Sequence, residues 1–262
     1  MRLDGQVVVI TGSAMGVGRG IALALAARGA LIAGLDVDAA ANEETGRLLA
    51  AAGSEYLSVS CDISDKAAVR RAIDEVGERL GRIDVLVNNA AVWDDSRLLA
   101  GSYESQTAEY DRSMGTCAMG AYYCMAACLP LLLESGGNVI NIITEHIEPA
   151  QHLKNMPALG YDCAKFALWR QVVSWADELK GRNLRINGLA FGATDTPMLR
   201  GVAGDFADSA MRPADIGQAV INVLAHGPNG PSGEIWVFGV TGTPREESLV
   251  AIEAIGPGGV SA

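Results

Sequence analysis

The chain has 262 residues, 49% of them hydrophobic, with 20 Lys+Arg against 31 Asp+Glu and a formal net charge of −11. That length suits one domain with a full core, and the acidic balance argues against a nucleic-acid partner, which demands a basic footprint. No apolar run of about 18 residues is free of polar breaks, so no membrane partner is expected, and Met1 to Gly5 lead straight into a strand, so no signal peptide is expected.

The first predicted strand, Gln6–Thr11, holds Val7-Val8-Val9-Ile10 and runs into Thr11-Gly12-Ser13-Ala14-Met15-Gly16-Val17-Gly18. A glycine-rich turn that opens a helix, here Val17–Arg28, lets backbone approach a pyrophosphate whose charge the helix N-terminus favours. The second strand, Leu31–Asp36, ends on a carboxylate 24 residues after Gly12. A carboxylate there accepts hydrogen bonds from the adenosine ribose and repels a 2′-phosphate. Neither Ser13 nor Val37 supplies the cation that a 2′-phosphate wants, so the expected cofactor is NAD(H) rather than NADP(H).

Strands and helices then alternate: helix Ala39–Ala52, strand Glu55–Cys61, helix Lys66–Leu80, strand Val85–Asn88, helix Ala108–Leu133, strand Asn138–Ile143, helix Ala158–Leu179, strand Arg185–Ala190, helix Pro213–Ala225 and strand Glu234–Phe238. Runs such as Val139–Ile143 read as strands buried on both faces. The expected fold is α/β, a Rossmann-type doubly wound parallel sheet of about seven strands with helices on both faces. It forms a single domain over 1–262, with a partly mobile extension over about 240–262 that includes Gly256-Pro257-Gly258-Gly259. The stretch Ala193–Met211 is long enough for a substrate-covering loop, and Met198, Leu199, Phe206 and Met211 would form its apolar lid or pack on the domain. The five cysteines (Cys61, Cys117, Cys124, Cys128, Cys163) are odd in number and sit within elements, which suits a reducing cytoplasm. Cys124 and Cys128 share a helix face, but no matching Cys/His pair lies nearby, so buried thiols and no metal are expected. His226 reads as a residue of a helix end.

Tyr161 and Lys165 stand four residues apart on one helix face. An ammonium beside a phenol favours the phenolate and makes the tyrosine a usable acid/base group.

With these residues assembled, the chain resembles the short-chain dehydrogenase/reductase family from Gly5 to about Gly239. The matches are Thr11-Gly12-x-x-x-Gly16-x-Gly18, Asp62, Asn88-Asn89-Ala90, Tyr161-x-x-x-Lys165 and Phe191-Gly192-Ala193-Thr194-Asp195-Thr196-Pro197-Met198. The resemblance implies that Asp62 holds the adenine amino group while the backbone of Ile63 supports the ring. It implies that Asn89 and Ala90 lie along the cofactor with Gly192 nearby, and that Thr194 and Thr196 steady the nicotinamide carboxamide. Tyr161 would exchange a proton with the substrate oxygen, and Lys165 would lower its pKa and bind the nicotinamide ribose. Counting three residues from Asn141 places Thr144 where the family has a serine, and a threonine hydroxyl can also donate to a substrate oxygen.

Two departures stand out. The family's helix-borne asparagine, which maintains a water relay behind the lysine, aligns with Cys117, and a thiol is a weak donor and acceptor. Thr144 and Tyr161 are separated by about four more residues than is usual in the family. The enlarged loop carries Glu145, His146, Glu148 and His152, which either replace the missing polar group, grip a polar substrate, or form a solvated loop. Trp93 either lines the substrate pocket or packs in a loop.

The expected function is hydride transfer between NAD(H) and a secondary alcohol or ketone on a cyclic or medium-sized, partly apolar molecule. Thr144, Tyr161 and Lys165 would be catalytic, and Trp93, Glu145, His146 and Met198 would face the substrate. The alternatives are a catalytically silent dinucleotide-binding protein, motivated by Cys117, and a non-redox enzyme of the same fold. The resemblance also implies a homotetramer.

Overall fold

Seven apolar, β-branched runs become parallel strands: β1 Val7–Thr11, β2 Leu31–Asp36, β3 Tyr56–Ser60, β4 Val85–Asn88, β5 Asn138–Ile142, β6 Arg185–Phe191 and β7 Ile235–Phe238. In the computed structural model, which describes residues 1–95, 98–147, 158–238 and the backbone of 253–255, they form one sheet in the order β3-β2-β1-β4-β5-β6-β7. A short strand β8, Glu253–Ile255, extends the sheet antiparallel to β7. Every residue of β1, β4 and β6 is buried, as helices on both faces require. The winding reverses between β1 and β4, whose ends form the crevice where doubly wound sheets bind ligands.

Helices α1 (Gly16–Ala26), α2 (Ala39–Ala51) and α8 (Pro213–Leu224) cover one face, burying Ile21, Leu25, Leu49 and Val220 against Val8, Ile10 and Leu189. Helices α3 (Lys66–Leu80), α5 (Gly120–Ser135) and α6 (Leu159–Glu178) cover the other, with Ile73, Cys128 and Val172 in its core. Each large side chain so buried stabilises the fold by about 1.5–3 kcal/mol.

Two expectations need correction. The helix expected over Ala108–Leu133 starts earlier, as α4 (Tyr103–Ser113), because the Ser102 hydroxyl accepts the Ser105 N–H and caps it. It then passes through a π-helical turn, Met114–Met119, into α5. By length and composition alone this Tyr103–Ser135 run could cross a membrane; here it covers the sheet, with Cys124, Cys128 and Leu132 fully buried. The stretch Ala193–Met211 is not a loop but helix α7 (Pro197–Ala203) and a 3-10 turn, Gly204–Ser209. Thr196 caps α7 through Leu199 N–H at 3.2 Å, and Pro197 opens it. Met198, Leu199 and Phe206 line a cavity, whereas Met211 joins the core. The expected mobile tail, Glu148 and His152 lie outside the described residues.

Burial pushes the thiols of Cys124 and Cys128 well up, so both are neutral packing groups. His226 stacks on Trp236, ring centroids 5.0 Å apart.

Candidate active site

The end of β1 and the end of β4 are locked together by their own polar groups. Thr11 Oγ1 accepts the N–H groups of Asn89 and Ala90, both at 3.0 Å. Asn89 Nδ2 donates back to Thr11 O at 2.8 Å and Gly12 O at 3.1 Å. Asn89 is therefore a brace of the glycine-rich turn as well as part of its wall. Gly12 has φ +68°, and a Cβ there would lie 2.8 Å from Ala90 Cα. At Gly18 a Cβ would lie 2.0 Å from Gly12 O, so the turn tolerates no side chain at that point.

Behind the turn, Ser13 is wholly buried and donates to Asn42 Oδ1 at 2.7 Å, with the Tyr56 hydroxyl bonded to both. Burial raises the Tyr56 phenol to about 12, so it stays a neutral donor. Ser13 thus supports the turn from behind and does not face its cavity. Asp36 Oδ2 accepts Ala14 N–H at 2.9 Å, and Oδ1 accepts Asp38 N–H at 3.0 Å.

A cavity of about 600 Å³ runs along this crevice. Gly12, Met15, Gly16, Val17 and Gly18 line one part of it, Asp36, Val37, Asp62 and Ile63 another, and Asn89 and Ala90 a third. Tyr161, Lys165 and Thr196 also line it. A second cavity of about 370 Å³ shares Tyr161, Thr196 and Met198 with the first and adds Trp93, Thr144, Glu145, His146, Gly192 and Thr194. Thr144, Gly192 and Thr194 therefore lie on the second cavity, not the first. Phe206, Leu199 and Val202, from α7 and the turn after it, give this pocket an apolar side. The α7 cover is fastened at its base: Asp195 N–H donates to Met211 O at 2.7 Å, and Met211 N–H to Ala193 O at 3.1 Å.

The end of β5 brings Thr144 close to Tyr161, where the threonine hydroxyl favours the phenolate. Lys165 is 1% exposed and donates from Nζ to Ile142 O at 2.7 Å, with Nζ 5.4 Å from the centre of the Tyr161 ring. The ammonium is thus bonded to backbone beside the ring, and the sequence expectation of a lowered phenol pKa is reversed. Burial, helped by Cys117 and Asp162, pushes Tyr161 up and outweighs the Thr144 hydrogen bond, which alone lowers it. Burial likewise lowers Lys165. Asn88 Nδ2 donates to Asn141 Oδ1 at 2.9 Å, and Asn141 Nδ2 to Leu168 O at 3.3 Å, tying β4, β5 and α6 together behind this cluster.

Cys117 sits in the π-helical turn, 1% exposed, with Sγ accepting Val92 N–H at 3.4 Å. Burial raises its thiol. Within this turn the Ala118 carbonyl accepts Gln171 Nε2 from α6 at 3.0 Å. The thiol is thus held in a backbone contact with the loop after β4.

Sequence reasoning missed Asp94. Helix α6 has no capping side chain of its own; instead buried Asp94, from the loop after β4, accepts Gly160 N–H at 3.0 Å and Tyr161 N–H at 2.7 Å. A carboxylate at a helix N-terminus satisfies orphan donors and meets the helix dipole. Asp94→Ala should cost about 2 kcal/mol of stability and lower turnover, because Tyr161 lies in the first turn; thermal melts and steady-state rates check both.

Trp93 lies on the second cavity beside Tyr161, ring centroids 5.1 Å apart, and forms an edge contact with His146 at 6.4 Å. His146 Nδ1 lies 2.6 Å from Asp162 Oδ1. Among the described residues no group of three His, Cys, Asp or Glu is placed to hold a metal ion.

A glycine cradle at the sheet's switch point, acidic groups along its crevice and a half-buried tyrosine with a buried lysine at the junction of two cavities together describe a Rossmann-type dinucleotide fold joined to a substrate pocket. The residues present fit such a cofactor, since the Cβ-intolerant turn leaves room only for backbone beside the helix N-terminus. The chain belongs to the short-chain dehydrogenase/reductase family of oxidoreductases: residues 12–223 match the family model described as enoyl-(acyl carrier protein) reductase. It is 32% identical to the D-threitol dehydrogenase of Mycolicibacterium smegmatis over 192 residues, 72% of this chain and 70% of that protein. A 3-ketoacyl-(acyl-carrier-protein) reductase from Brucella melitensis, solved with NADH, superposes with a TM-score of 0.79 at 25% identity, covering 90% of this chain and 97% of the other. An alcohol dehydrogenase from Thermococcus sibiricus, solved with 5-hydroxy-NADP, gives 0.78 at 25% identity over 91% and 97%.

Proposed function

We propose that the protein is an NAD(H)-dependent dehydrogenase/reductase, a single catalytic domain acting on a secondary alcohol or ketone of cyclic or medium-sized, partly apolar shape. The observation that carries this reading is that Tyr161 lines both cavities, so one phenol faces the cofactor crevice and the substrate pocket at once. When bound, the dinucleotide supplies the hydride acceptor or donor. The chain's own residues do the rest. Thr144 orients the substrate oxygen and Tyr161 takes or returns its proton. Lys165 puts positive charge beside both, and α7 with Trp93 excludes water from the reacting carbon. The test is incubation with NAD+ and a panel of secondary alcohols, following absorbance of the reduced cofactor. Binding of NADH without turnover of any alcohol or ketone would favour a silent dinucleotide-binding protein, the reading that Cys117 suggests.

Cofactor preference rests on the carboxylates of the crevice. Asp36, Asp38 and Asp62 line it beside Val37, which is 71% exposed and carries no charge. A 2′-phosphate would meet repulsion there and no cation. Replacing Asp36 with Ala together with Val37→Arg is expected to shift preference towards NADP(H) at least tenfold in kcat/KM. Equal or better turnover of the parent with NADP(H) would remove the basis for this assignment.

Met119, Tyr122 and Phe166 are exposed on the π-helical turn, α5 and α6, which supports a symmetric homo-oligomer, proposed to be a tetramer. Five free cysteines, four of them buried, support a reducing, cytoplasmic setting.

A further inference from the structure

The substrate pocket is apolar along α7 yet carries a hydrogen-bonded His–Asp pair beside the reacting group. His146 lines it, with a side chain only 11% exposed, and its ring centroid lies 6.3 Å from that of Tyr161 in an edge-on arrangement. Because Asp162 Oδ1 is a pure acceptor when ionised, the 2.6 Å contact makes Nδ1 the protonated nitrogen. The carboxylate fixes the ring, and Nε2 is the polar atom left for the pocket. Asp162 follows Tyr161 on α6, so the imidazole is anchored to the same helix turn as the phenol. Glu145, 2% exposed, adds a second polar group to this wall. An orientated imidazole in an apolar pocket is costly to desolvate unless a ligand group bonds to it. The hydroxyl that reacts is already served by Thr144 and Tyr161.

From this arrangement we infer that His146, held by Asp162, binds a second hydroxyl on the carbon next to the reacting one, so that the substrate is a vicinal diol, or the matching hydroxyketone, on an apolar body. The inference rests on the oxidoreductase reading above and adds its substrate class. The reacting oxygen sits between Thr144 and Tyr161, the neighbouring hydroxyl hydrogen-bonds to His146 Nε2, and the hydrocarbon body lies against Trp93 and Phe206. The second hydroxyl is recognised and does not react.

The test compares matched substrates: cis-cyclohexane-1,2-diol against cyclohexanol, and cis-indane-1,2-diol against 1-indanol, each with NAD+. The parent should favour each diol at least tenfold in kcat/KM, the size expected for one buried hydrogen bond made or left unmet. In His146→Phe, which keeps a ring for Trp93 and Tyr161 to pack on, the diol-to-monoalcohol ratio should collapse to within about twofold. His146→Gln, which retains a polar acceptor, should recover part of the ratio. Asp162→Asn should reduce it by loosening the imidazole. A parent that oxidises monoalcohols as well as diols, or a His146→Phe variant that loses both equally and keeps the ratio, overturns the proposal and leaves the oxidoreductase reading standing. If the parent binds NADH, by fluorescence titration, yet turns over none of the four substrates or their ketones, the oxidoreductase reading falls and this one with it.

Discussion

Tyr161→Phe is expected to cut turnover by roughly 10²-fold or more while NAD(H) binding stays near the parent value. The change removes one oxygen and keeps the ring that packs on Trp93 and lies under the Lys165 ammonium. Thr144→Ser keeps the hydroxyl that meets the phenol and should retain much of the activity. The pH profile carries the same information. Because burial pushes Tyr161 up, its phenolate is scarce at neutral pH, so alcohol oxidation should climb as pH rises, and carbonyl reduction should run best with the phenol neutral. Lys165, pushed down by burial, loses its charge earlier than an ordinary lysine and limits that climb. The alkaline rise should vanish in Tyr161→Phe. A variant as fast as the parent would show that the proton travels elsewhere, and Glu145 and His146 would be the first residues to examine.

Gly18→Ala is expected to weaken NAD(H) binding by about 100-fold or more and to lower the melting temperature. The added methyl would lie 2.0 Å from Gly12 O and 2.7 Å from Asn89 Nδ2, two atoms that bond to each other at 3.1 Å. Neither is the loose end of a long side chain, so the turn must open, and with it the approach of backbone to the pyrophosphate. Gly77→Ala is the control. It lies in α3, and its Cβ meets a Leu131 methyl at 3.3 Å, so cofactor binding should stay unchanged. Fluorescence titration with NADH and thermal melts measure both effects. Tight binding by Gly18→Ala would mean that the cofactor does not depend on the close packing of this turn.

The sheet was legible because its strands are nearly pure apolar runs, and a run such as Val7-Val8-Val9-Ile10 has no other way to hide both faces. Tyr161 and Lys165 were legible because one helix carries both, and helical spacing is local. What escaped was decided at long range or by irregular backbone. Asp94 reaches residues 66 and 67 positions away, and nothing in the local sequence links that loop to α6. The π-helical turn around Cys117 adds a register shift that no residue pattern announces, although Gly115 lies in it. Helix α7 did carry its signals in Thr196-Pro197, a cap followed by a first-position proline, but seven residues leave too little periodicity to see. The hydrogen bond from Lys165 to Ile142 O also escaped, since spacing puts two side chains on one face without saying which atom meets which.

On the proposed function, the grip of Asp94 on the first turn of α6 would also give the loop after β4 a role in discrimination. Trp93, which feels the body of whatever fills the second cavity, is joined by one peptide bond to the residue that seats Tyr161. On the mechanism proposed above, a molecule that fits badly would displace the indole and, through that peptide, the phenol oxygen from the line of proton transfer. Poor fit is then felt as slow chemistry and not merely as weak occupancy, so selectivity among alcohols should lie mainly in kcat, with KM changing little.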